Sequence, residues 1–144
     1  MKLLTVKELQ AKIAEAEGAK ASAALKAMHA EEEEKRALLE RLSKPSGLSD
    51  DEVMEKASII INRAVENGLM SVQVLRFPHT LCSDNGRAIN QAEAGWEATL
   101  TGIPKEIYEF WKRQLQPRGY HIRYETLNYP GGMPGDVGII LSWG

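Results

Sequence analysis

Three residue types that bind metals or activate water stand close together in mid-chain: His79, Cys82 and Asp84. Imidazole nitrogen, thiolate sulfur and carboxylate oxygen are all zinc ligands, but a closed structural site takes four of them. The sequence holds no Cys-x-x-Cys pair and no paired histidines, and His121 joins the group only if its strand runs beside this segment. No metal is therefore expected. A cysteine nucleophile needs a positioned base and a lowered pKa, whereas an isolated cysteine reads first as a small buried hydrophobe. The serine elbow G-x-S-x-G is absent, which removes the commonest hydrolase arrangement. Arg87 and Asn90, with Glu93 and Trp96 beyond them, add a polar cluster to the same stretch. His79, Cys82, Asp84, Arg87, Asn90 and His121 are the candidate binding residues. No catalytic role and no cofactor follows from them.

Two further segments carry recognisable chemistry. Pro130, Gly131, Gly132, Met133, Pro134, Gly135 and Asp136 form a loop longer than ordinary hairpin turns and rich in residues that set unusual backbone angles. Glycines of this kind can build an anion-holding nest, yet a phosphate loop would continue into Lys, Ser or Thr and a helix, and here Asp136 and a strand follow. The loop reads as a rigid turn or a partner contact. Between Trp111 and Tyr124, Lys112, Arg113, Arg118, His121 and Arg123 occur without an acidic residue and alternate with aromatics, the composition of a single-strand nucleic-acid site. Trp111, Tyr120 and Tyr124, however, fall on the apolar face of their elements, which leaves the cations without stacking platforms.

These segments sit in a chain of 144 residues with a formal charge of −2, so no global field attracts a polyanion or an anionic membrane. The single cysteine allows no internal disulfide, no signal-peptide pattern opens the sequence, and no apolar run reaches the ~18 residues needed to cross a bilayer. A reducing cytoplasm is the expected setting. Every Phe, Tyr and Trp lies at or beyond Phe77, whereas residues 1–45 hold ten alanines and one glycine. Aromatics carry the most buried area per residue, so the core belongs to the C-terminal part.

Residues 1–45 predict a helical arm. Thr5 and Glu8 have capping-box spacing, strong helix formers follow to Leu42, and Pro45 with Gly47 supplies the stop. Gly18 marks either a tolerated interior glycine or a weak hinge. A seam through Leu9, Ile13, Ala16, Ala23, Ala27, Ala30 and Ala37 is short of large apolar residues and is crossed by Lys20 and Glu34, which makes a poor coiled coil.

Residues 46–144 predict a small α+β domain. Ser49 and Glu52 begin a second capping box, and Val53, Ala57, Ile60, Ile61, Ala64 and Val65 follow at helical spacing to an Asn67–Gly68 stop. Met70 to Phe77 is apolar on both faces at several points, as an interior strand would be. The stretch from His79 to Ile103 predicts a short helix capped by Ser83 and reaching Gln91, in otherwise irregular chain. Pro104 opens another helix bearing Ile107, Phe110, Trp111 and Leu115 on one side, with Gly119 closing it. Tyr120, Ile122 and Tyr124 alternate with His121, Arg123 and Glu125, and the return strand Val137 to Trp143 is apolar on both faces, so it belongs in the centre of the sheet. The expected fold is α+β: a long N-terminal helical arm, then a three-stranded antiparallel sheet of order 1-3-2 with helices packed on one face.

Three functional expectations follow. The first is a noncatalytic interaction or assembly protein that uses the arm for self-association or docking and presents loops 78–103 and 130–136 to a protein partner. The alternative is a small enzyme or ligand-binding domain centred on His79, Cys82, Asp84 and Arg87. The third, nucleic-acid binding through residues 112–123, has the least support.

Overall fold

The computed structural model describes residues 3–144, and the chain divides into two compact units between Leu38 and Leu39. Helix α1, Val6–Ser43, runs unbroken through Gly18. At its start the Thr5 hydroxyl accepts from the Glu8 amide at 3.2 Å and the Glu8 carboxylate from the Thr5 amide at 3.3 Å, which closes the predicted capping box. Side chains from Thr5 to Ala37 are exposed; in the last turn, within the second unit, Leu42 is buried.

In the second unit α2, Asp50–Glu66, begins with the Ser49–Glu52 capping box and ends where Gly68 adopts φ +73° and the Leu69 amide donates to the Ala64 carbonyl at 2.9 Å. Its inner stripe is narrower than the periodicity predicts. Ile61 and Ala64 are buried and Val53, Met54 and Ala57 half-buried, but Ile60 and Val65 remain exposed because they flank the strip that the sheet covers.

Strands β1 (Ser71–Phe77), β2 (His121–Thr126) and β3 (Val137–Ser142) form one antiparallel sheet in the order β1-β3-β2. β3 is central and buried along Val137–Leu141, and β2 alternates as its sequence predicts. β1 is an edge strand, as the expected order 1-3-2 requires, although its apolar pattern is that of an interior one. Gln73 pairs with Ile140 and Leu75 with Ile139, so Val74 is an extra residue in a bulge. The bulge resets the alternation, putting Leu75 and Phe77 on the same face as Val72, while Val74 also packs on the core. Apolarity on both sides of the sequence thus becomes one buried side.

Helix α3 (Arg87–Asn90) and a 3-10 turn at Trp96–Thr99 occupy the long connection before helix α4 (Gly102–Phe110). α3 starts later than predicted and is capped by Asp84, not Ser83: the Asp84 carboxylate accepts from the Gly86 amide at 3.0 Å and the Ala88 amide at 2.8 Å. α4 continues as a π-helical turn, Trp111–Leu115, and closes at Gly119 with φ +93°. Ile61, Phe110, Leu115 and Leu141 form a core cluster, joining α2 and the α4 segment to one face of the sheet. A second aromatic group, Phe77, Trp96, Tyr108 and Tyr124, packs through edge-on pairs and one tilted pair, Trp96 with Tyr124.

Candidate functional site

The long connection is sewn shut at its base. Cys82 bridges to Leu100, the Ser83 amide donates to the Thr99 carbonyl at 2.7 Å, and the Thr101 hydroxyl donates to the Leu81 carbonyl. Cys82 is only 2% exposed, and its thiol is pushed up to about 11, first by burial and then by the neighbouring Asp84 charge, against a hydrogen bond from Thr99. A thiol held protonated is a poor nucleophile and a poor ligand. Asp84 is occupied as the cap of α3. His79 is half-buried beside Gly86, whose φ of +82° would leave an added Cβ 3.3 Å from that of His79. Arg87 is exposed and faces Glu93 at 3.6 Å.

His79, Cys82, Asp84, Arg87 and Asn90 all lie on the connection that leaves β1 after Phe77, which pairs with Val137 at one end of the sheet. His121 pairs with Ser142 at the other end of the sheet, and among the described residues no hydrogen bond or ion pair joins it to any of the five. None of the five lines any of four clefts of about 210 to 310 Å³ in the domain. Among the described residues no group of three or more His, Cys, Asp and Glu side chains is placed to hold a metal ion.

What the structure does join is the two loops. The segment from Leu127 to Asp136 is held by its own backbone: Leu127 donates to the Asp136 carbonyl at 2.8 Å, Gly135 to Asn128 at 2.9 Å, Gly132 to Tyr129 at 3.1 Å and Met133 to Pro130 at 3.2 Å. The Asn128 side chain accepts from the Asp136 amide at 2.7 Å, and the Asp136 carboxylate pairs with Arg76 on β1 at 2.7 Å. The amides of Gly132, Met133 and Gly135 are thus directed at internal acceptors, not at an anion. Tyr129 (56% exposed) and Met133 (68%) stand out from this rigid frame. The Tyr129 hydroxyl donates to Asn90 Oδ1 at 2.7 Å, which fastens the 127–136 loop to α3.

The 112–123 cations are largely committed. Arg113 pairs with Asp50 at 2.9 Å, Arg123 with Glu125 at 3.3 Å, and Arg118 donates to the Gln114 carbonyl. Hydrogen bonds from Arg113 and Gln114 hold the Asp50 carboxyl below its usual range. Trp111 packs on the core and donates through Nε1 to the Tyr120 carbonyl at 3.0 Å, while Tyr124 is buried and donates to the Pro104 carbonyl at 2.7 Å. Burial drives the Tyr124 phenol far above the ordinary tyrosine value, consistent with a structural residue.

Comparison with known proteins finds no matching family model, no similar curated protein and no matching solved structure. Function is therefore read from the chain's own residues. Those that sequence reasoning passes over are Tyr129, Asn128 and Arg76, which build and orient the joined loops. Asn128 beside a Pro/Gly-rich turn is a legible signal for a side-chain-to-backbone tie; the Tyr129–Asn90 contact spans 39 residues and leaves no local trace.

Proposed function

We infer that this protein is a noncatalytic interaction module whose domain presents loops 78–103 and 130–136 to a protein partner as one surface. The observation that carries this reading is the Tyr129–Asn90 hydrogen bond, which makes neighbours of two loops from distant parts of the sequence. An exposed aromatic and an exposed methionine on a frame already fixed by hydrogen bonds suit protein binding, because little conformational freedom is lost on contact. The chemistry nearby supports the same reading: the Cys82 thiol is buried and protonated, Asp84 caps a helix, and no hydrogen bond joins the thiol to His79 among the described residues.

The arm adds a long exposed helical surface on which Leu9, Ile13, Leu25 and Met28 remain open to another chain. We assign it to self-association or docking, and light scattering on the full chain and on residues 39–144 tests that part separately. Each species at its own monomer mass at high concentration would remove self-association.

Affinity capture from the native cell tests the loop surface. The intact chain should retain a defined partner set, and the pair Tyr129→Ser and Met133→Asp should lose members of it while folding normally. Identical partner sets for both proteins would refute the loop surface as the contact.

A further inference from the structure

An apolar cleft of the domain lies away from the joined loops, between α2 and α4, and holds about 250 Å³. Leu48, Val53, Ile103, Ile107 and Phe110 supply its apolar lining. Four charged side chains border it: Asp50, Lys56, Glu106 and Arg113.

The hydrogen-bonding state of those four groups is unequal. Asp50 Oδ1 accepts from Arg113 Nη2 at 2.9 Å, and Oδ2 accepts from Gln114 Nε2 at 3.1 Å and Arg113 Nε at 3.4 Å. Glu106 Oε1 accepts from the Ser46 hydroxyl at 2.9 Å and Oε2 from the Ser46 amide at 3.1 Å. Every carboxylate oxygen at the border therefore has a protein donor. Lys56 Nζ and Arg113 Nη1 have no acceptor among the described residues. The donors without a protein acceptor are all cationic and open to solvent, and the group that complements them is an acceptor-only anion.

A second observation marks the same place. Arg113 and Gln114 lie in the π-helical turn Trp111–Leu115, a rare geometry that occurs mostly as single turns and frequently at functional sites. Adjacent side chains from that turn both reach Asp50. Asp50 thereby steadies Arg113 at the cleft while one guanidinium nitrogen stays open.

We propose that this cleft binds a small carboxylate with an apolar body, the body against Val53, Ile107 and Phe110 and the carboxylate between Lys56 and Arg113. The cavity is below the usual range for drug-sized ligands, which limits the body to one ring or a chain of about six to eight carbons.

Methyl-detected NMR titration of the full chain tests the proposal, with octanoate below its micellar concentration, octan-1-ol as the uncharged analogue and acetate as the headgroup alone. Octanoate should shift the Leu48, Val53, Ile103 and Ile107 methyls saturably. Octan-1-ol should bind at least about tenfold more weakly, the equivalent of one charge-assisted hydrogen bond, and acetate should not saturate. Lys56→Met, a change at an exposed position, should bring octanoate close to octan-1-ol, and Ile107→Trp should fill the cleft and abolish both. Unmoved cleft methyls at millimolar octanoate, equal binding of octanoate and octan-1-ol, or no effect of Lys56→Met would each overturn it. The Lys56 comparison stands even if Ile107→Trp fails to fold.

Discussion

Cys82 shows how one residue's environment separates chemistry from packing. Its folded-state pKa of about 11 lies above the ordinary thiol value near 8.5, so the fold favours the protonated form. The stability this supplies is present in full below the unfolded pKa and is lost as pH rises towards the folded one, between about 8.5 and 11. Urea midpoints should fall across that window, and less so in Cys82→Ala. At pH 8 only about one thiol in a thousand is ionised, so native protein should react with iodoacetamide far more slowly than unfolded protein. Comparable rates would contradict a buried, protonated Cys82. The sequence makes Cys82 legible as a small buried residue but not Asp84 as a cap, because the same Asp beside His and Cys also spells a ligand set. Only the Gly86 and Ala88 amides decide between the two.

Among the elements, caps are the most readable feature because they are local. Both capping boxes, at Thr5–Glu8 and Ser49–Glu52, form where their spacing puts them. The β1 bulge and the π turn are not readable, since each depends on what packs against it, and the bulge is what lets an edge strand bear a two-sided apolar pattern. The end of α3 carries a testable irregularity. Ala92 occupies the left-handed region at φ +52°, with the Glu93 amide donating to the Ala88 carbonyl at 2.9 Å in the manner of a helix-terminating glycine motif. Ala92→Gly should therefore stabilise the domain by about 0.5–1 kcal/mol, read as a raised urea midpoint. A lowered midpoint would show that the methyl contributes more than the backbone strain costs. Gly102 predicts the opposite. It has φ +58°, and an added Cβ would overlap the Leu42 carbonyl oxygen and crowd the Ser43 backbone. Gly102→Ala should cost about 2 kcal/mol or more, and an unchanged midpoint would mean that this close approach is absent in solution.

At the scale of the molecule, a long N-terminal helix followed by a mixed α+β part is legible from composition, and the sheet order 1-3-2 follows from a return strand apolar on both faces. The unit boundary falls at Leu38/Leu39, inside α1, so its last turn belongs with the domain, where Leu42 is buried. Its own core clusters predict that residues 39–144 unfold cooperatively as an isolated fragment, with coincident near- and far-ultraviolet circular dichroism transitions. Non-coincident transitions would show that the fragment lacks a complete core. The site is less legible than the fold: the loops are recognisable by length and glycine content, but their junction at Tyr129 and Asn90 exists only in three dimensions. The central claim is that this junction creates one partner-binding surface, and site-directed photocrosslinking in the native cell tests it most directly. Photoreactive residues at Thr80 and Met133, one on each loop, should capture the same partner, while one at exposed Glu66 on α2 should not. Capture of unrelated proteins from the two loop positions, or of the same partner equally from Glu66, would contradict it.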